Sequence, residues 1–140
     1  NFNIMNTSAS SSATQSLQRA SDGLQFSSET DAPLTPFFWA AKNDPELTPE
    51  LVAALAGAPE DAPVETDRLA AFFRDATLEE EWHNDEEKEQ VRRFSALLDV
   101  IKSTLDGTKV FRIGETKIDV YIVGKVEGGF AGLHTQVVET

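Results

Sequence analysis

A chain of 140 residues with 40% hydrophobic content, nine of its residues phenylalanine, suits one domain with a single core and is too short for two. Its 24 acidic against 12 basic residues leave a net charge of −12, so nucleic-acid backbones and anionic membranes repel it; a basic protein or a metal ion is the favoured partner. Cysteine is absent, which removes disulfide frameworks, thiolate zinc sites and thiol nucleophiles, and no apolar run reaches the ~18 residues of a membrane span.

The first residues, NFNIMNTSASSSATQS, have neither the basic start nor the apolar stretch of a secretory signal, which points to the cytoplasm. Asn1 to Ile4 precede the only methionine, Met5, and read as residues added by an expression vector. Residues 6–16, rich in Ser, Thr and Ala, offer little apolar area to offset ordering entropy. A disordered tail over 1–13 and a single domain over 14–140 are therefore expected. Leu17, Ala20 and Leu24 recur at helical spacing and Gly23 supplies a stop, giving a first helix over 14–22.

The aromatic run 33–41 (PLTPFFWAA) reads as a short strand, with Pro36 arguing for a sheet edge. Thr48-Pro49-Glu50 then provides an N-cap hydroxyl, a proline at the first helical position and an acid in the first turn, ahead of a helix that stops at Gly57. Residues 57–65 (GAPEDAPVE) read as a loop. Thr66 is placed to cap a third helix with Leu69, Phe72 and Phe73 as its apolar stripe.

The longest helix starts at Asn84, with Glu87 at capping-box spacing and acids at 85–87 facing the positive end of the dipole. Val91, Phe94, Leu97, Leu98, Ile101 and Leu105 form its apolar face until Asp106-Gly107. Beyond Gly107 the period becomes two. Residues 109–113 and 117–123 form a hairpin around Gly114-Glu115, and a third strand over 133–137 follows Gly128-Gly129, with Leu133, Thr135 and Val137 on one face. Helices first and an antiparallel meander last imply a mixed sheet covered by helices, an α/β sandwich.

No glycine-rich phosphate loop, G-x-S-x-G elbow or H-E-x-x-H pair is present, and two histidines leave few ways to build a hydrolytic zinc site. His83 has Glu79, Glu80, Glu81 and Asp85 around it. That company would suit a metal ligand in a small metal-dependent hydrolase, but an exposed histidine in a charged loop is the favoured reading, because imidazole with carboxylate neighbours is common in acidic chains. Trp82, alone among acids, belongs either in the junction between the third helix and the long one or at a partner interface. Glu29, in a polar loop, has no evident structural duty. The apolar pair Val137-Val138 runs almost to the end of the chain, so the terminus should be tied down. That would bring Glu139, the Thr140 hydroxyl and the terminal carboxylate close together, as oxygen ligands of the kind hard divalent cations prefer.

Four stretches of the chain resemble the nuclease A inhibitor family, inhibitors of sugar-non-specific endonucleases. They are Ala20-Ser-Asp-Gly-Leu24 with Phe26 and Ser28-Glu29; Phe72-Phe73 through Thr77 to Trp82 and Asp85-Glu86-Glu87; Leu97-Leu98 with Val100-Ile-Lys-Ser103; and the strand-rich end from Arg112 to Thr140. The likeness spans about residues 16–140.

It implies a three-layer α/β/α sandwich with a mixed, largely antiparallel sheet, free as a monomer, that plugs the active site of a magnesium-dependent nuclease and does not itself bind nucleic acid or act as an enzyme. In that likeness Glu29 stands in for the scissile phosphate, and the hydroxyl of Thr140 reaches the catalytic magnesium. Glu81-Trp82 meets a second divalent cation shared with the enzyme, at a place where the family example has aspartate before the tryptophan. Glu29, Glu81, Trp82, Glu139 and Thr140 are thus the expected partner-binding residues, with Glu81 and Thr140 as metal ligands in the complex alone and no cofactor in the free protein. An acidic adaptor for some other basic partner is the competing expectation.

Overall fold

The computed structural model describes the backbone of residues 3–139 and the side chains of residues 12–139. Expectations about Asn1, Phe2 and Thr140 lie outside the described residues, as do those about the side chains of 3–11. Helix α1 spans Asn3–Ser21, so it starts well before the expected residue 14. Residues 6–16 carry little apolar area, which is the reason to expect disorder there, but nothing between Met5 and Ser21 is glycine or proline and so nothing in the run breaks a helix. Gly23, in the left-handed region at φ 75°, follows the helix where the sequence places the stop.

Two three-residue strands follow, β1 (Gln25–Ser27) and β2 (Asp31–Pro33), which pair with each other in a small antiparallel ribbon that the sequence pattern does not disclose. Next come β3 (Thr35–Ala40), α2 (Pro49–Ala56), β4 (Val64–Asp67), α3 (Leu69–Phe72), α4 (Asp85–Thr104), β5 (Asp106–Ile113), β6 (Lys117–Val126) and β7 (Gly129–Val138). The main sheet has five strands in the order β3-β7-β6-β5-β4. Each of its pairings is antiparallel, so the expected mixed sheet is corrected to an antiparallel one. β3 lies on an edge, where Pro36 costs the ladder least.

Two of the helix starts read from sequence, at Thr48 and Asn84, are formed as drawn. The Thr48 hydroxyl accepts from the Leu51 amide at 3.1 Å with Pro49 in the first turn, and Asn84 and Glu87 close a reciprocal box at 2.8 and 2.9 Å. The helix start at Thr66 is not formed. Thr66 lies in β4 opposite Phe111, and α3 begins at Leu69. The β-branched Val64 and Thr66 suit the open edge that β5 offers. A box at Thr66 would need an acid or glutamine at the position Leu69 occupies.

Side chains alternate along the strands, so two cores form on opposite faces of the sheet. On one face Val110, Val120, Ile122 and Leu133 pack with Leu17 of α1 and Leu97 and Ile101 of α4, all fully buried. On the other, Phe111, Val123 and Phe130 pack with Leu47 and with Val52 of α2. Phe73, fully buried beside Phe72, fixes α3 to the first face and so sets one wall of the site described next.

Candidate partner-binding groove

The C-terminal strand is held along its whole described length. β7 stays in register with β6 as far as Val138 opposite Lys117, and the Glu139 amide then donates to the Thr116 carbonyl at 2.9 Å. The guanidinium of Arg112, on β5 one strand beyond β6, meets the Glu139 carboxylate at 2.5 Å. A terminus tied down in this way was expected from Val137-Val138.

A third tie comes from the other end of the sequence. Ser28-Glu29-Thr30 closes the β1–β2 ribbon, and the Val138 amide donates to the Ser28 hydroxyl oxygen at 3.0 Å. That hydroxyl donates in turn to the Thr30 carbonyl at 3.0 Å, and the Ser28 amide reaches the same carbonyl at 3.0 Å. The Thr135 hydroxyl adds a longer contact of 3.4 Å to the Ala32 carbonyl. Glu29 is therefore exposed at the tip of a short turn clamped to the last strand, and the duty that its local sequence hid is this position.

Beneath that tip lies an open groove of about 870 Å³ between the β1–β2 turn and β7 on one side and α3 and the start of α4 on the other. Its floor is apolar: Phe26, Phe72, Val91 and Phe94, with Phe26 stacked on Phe72 at 4.4 Å and 9°. Its rim carries the carboxylates of Glu29, Asp67, Asp75, Glu87 and Glu139. Arg112 is the one lysine or arginine on the lining among the described residues, and Glu139 neutralises it. Glu29 and Glu139, far apart in sequence, thus share one groove.

Glu81 and Trp82 lie in the turn that precedes α4. The Glu80 amide donates to His83 Nδ1 at 2.9 Å and the His83 amide donates to the Glu80 carbonyl at 3.1 Å, so His83 closes a local turn. An imidazole nitrogen accepting from an amide leaves the proton of the neutral ring on the other nitrogen. No group of three or more His, Asp or Glu residues able to hold a metal occurs among the described residues.

Trp82 is 72% exposed and rests edge-on against the His83 ring, with centroids 4.3 Å apart. The junction reading for Trp82 is therefore corrected. Phe72, Phe73 and Phe94 fill that space, which leaves the indole in solvent. Glu81 is exposed beside it. His83 lines the groove, so the Glu81-Trp82 turn stands at its wall opposite Glu29 and the last strand.

Nothing in the residue pattern marks Phe26, Asp67, Asp75 or Arg112 as site residues. Their contribution depends on which elements meet, and Arg112 and Glu139 are 27 positions apart.

On the far face of the sheet, Tyr121 stacks with His134 at 4.7 Å and lies beside Phe37 and Trp39, while His134 Nε2 meets Asp119 at 2.9 Å. Burial, with the Asp119 charge adding to it, holds the Tyr121 hydroxyl above its ordinary pKa.

The domain is thus an antiparallel α/β fold in which a carboxylate-bearing turn is clamped to the last strand beside an acid-rimmed groove. A family model for nuclease A inhibitor-like proteins matches residues 11–140, nearly the whole chain, and the chain belongs to that family. No curated protein matches the sequence. Among the described residues no helix is long and apolar enough to cross a membrane.

Proposed function

We propose that this protein inhibits a magnesium-dependent, sugar-non-specific endonuclease by occupying its active site, with Glu29 in the place of the scissile phosphate and Thr140 reaching toward the catalytic metal. The observation that supports this most is the Ser28–Val138 clamp. It holds the tip carrying Glu29 against β7 and the Glu139 that follows it, so one edge presents these two carboxylates together, one residue ahead of Thr140 in the sequence. Preorganisation of this kind lowers the entropy lost on binding.

Charge supports the same reading. A nuclease cleft must be cationic to hold phosphate, and a chain of net −12 is steered toward it. At physiological salt the Debye length of ~8 Å screens remote charge, so tight binding rests on a few desolvated contacts. Trp82 is a candidate for one of them, because a large exposed indole beside the groove gains most from burial.

Glu81 offers a hard oxygen ligand, and the described residues supply no complete metal cage around it. Two cations completed by the partner fit this reading: Thr140 would reach the catalytic magnesium and Glu81 would supply an oxygen ligand to a second divalent ion, with the nuclease providing the remaining ligands of each. The free protein is read as monomeric and without a cofactor of its own, acting in the cytoplasm.

The test is a plasmid-cleavage assay with a magnesium-dependent non-specific nuclease encoded by the same genome. Equimolar protein should abolish cleavage; full activity at a severalfold excess refutes the proposal.

A further inference from the structure

We infer that the groove between Glu29 and α3 takes up an arginine side chain of the bound protein, a contact separate from the one made by Glu29 itself. The inference rests on the inhibitor reading for the identity of the partner and on the groove alone for the chemistry. Its floor is a half-buried phenylalanine, Phe26, stacked on Phe72 with Val91 beside it, and its rim is acidic. An apolar floor under carboxylates matches a residue with an apolar stem and a cationic head.

Three of the rim acids are already engaged. Glu139 holds Arg112, Glu87 closes the cap of α4 and Asp67 accepts from the Arg68 amide at 2.8 Å. The carboxylate of Asp75, exposed on the α3 side, has no hydrogen-bond or ion-pair partner among the described residues. It is the acceptor left for an incoming cation. Arginine fits better than lysine because its planar head stacks on aromatic rings and forks onto a carboxylate, and because it sheds water more readily than an ammonium. Nucleic acid is disfavoured by the same rim, and a purely apolar ligand would leave Asp75 unused.

Continuity with the proposed interface argues that the occupant comes from the same partner. The groove opens directly beneath Glu29 and is walled on the far side by His83, next to Trp82. A protein touching both Glu29 and Trp82 must cover it.

The experiment has two arms. In the first, the intact protein is titrated with N-acetylarginine amide and separately with N-acetylcitrulline amide, its neutral counterpart, while amide resonances are followed by NMR. The arginine compound should shift Phe26, Ala71 and Asp75 saturably, the citrulline compound should not, and Asp75→Asn should weaken the response severalfold. Unmoved groove resonances, or equal shifts from both compounds, overturn the inference.

In the second arm, Asp75→Asn and the groove-filling Ala71→Trp are compared with wild type in nuclease inhibition. Both should lose at least tenfold with unchanged thermal midpoints, and wild-type inhibition by both variants overturns the inference. If the wild-type protein inhibits no nuclease, the proposed function falls, and the first arm still decides whether the groove selects a guanidinium.

Discussion

Ser28 accepts a hydrogen bond from the main-chain amide of Val138 at 3.0 Å, joining residues 110 positions apart. A neutral hydrogen bond of this kind contributes about 1 kcal/mol, and solvent access keeps it toward the low end of the range. Ser28→Ala should therefore lower global stability by no more than about 1 kcal/mol, yet speed hydrogen exchange at Val138 and weaken nuclease inhibition. Unchanged exchange at Val138 would show that the clamp does not hold the strand.

Glu29 is exposed at the tip of its turn, so Glu29→Ala should alter stability by less than about 0.5 kcal/mol. Inhibition should fall by at least about thirtyfold, the loss that corresponds to a hot spot of 2 kcal/mol. Deleting Thr140 should weaken inhibition in the same direction. Thermal denaturation and inhibition titrations of both variants separate folding from binding, and full potency in both would refute the roles proposed for these groups.

Trp82, at 72% exposure, should likewise be replaceable by alanine with little change in stability. With two tryptophans in the chain, Trp39→Phe isolates its fluorescence. Emission from Trp82 should shift to the blue as the nuclease is added, because the indole leaves water. An unshifted spectrum in a formed complex places Trp82 outside the interface.

His83 is a turn-closing residue on this geometry. His83→Ala should cost about 1 kcal/mol by leaving the Glu80 amide without its acceptor. Zinc and manganese titrations followed by calorimetry should give the same trace for wild type and variant; a tight site lost on substitution would restore the metal-ligand reading.

The lone tyrosine, Tyr121, gives an unambiguous alkaline signal. Burial first and Asp119 second raise its pKa in the folded state above the ordinary value of about 10. The folded form therefore prefers the protonated hydroxyl. The stability this contributes is fully present below about pH 10 and is lost as pH rises through the folded-state value. Absorbance at about 295 nm, where tyrosinate is read, should titrate at higher pH in the native protein than in denaturant. Tyr121→Phe should remove that part of the alkaline stability loss.

What was legible in the sequence was local. Thr48-Pro49 and Asn84 with Glu87 set two helix starts because a cap needs only residues within one turn, and the paired strands after Gly107 follow from a period of two. Pro36 marked an edge strand because a missing amide cannot serve two neighbours. The ribbon of β1 and β2 and the strand at Val64–Asp67 escaped because three or four residues carry too little periodicity, and the partner of Val64–Asp67 is an edge built elsewhere in the chain. The same limit applied to the site. Residue pattern and family likeness singled out Glu29, Glu81, Trp82 and Glu139. Tertiary structure alone brought Glu29 and Glu139 to one groove, exposed Trp82 by filling its expected place with three phenylalanines, and turned His83 into a turn clasp. Caps and alternation are decided by neighbours in the chain; a groove is decided by which distant surfaces the two cores press together.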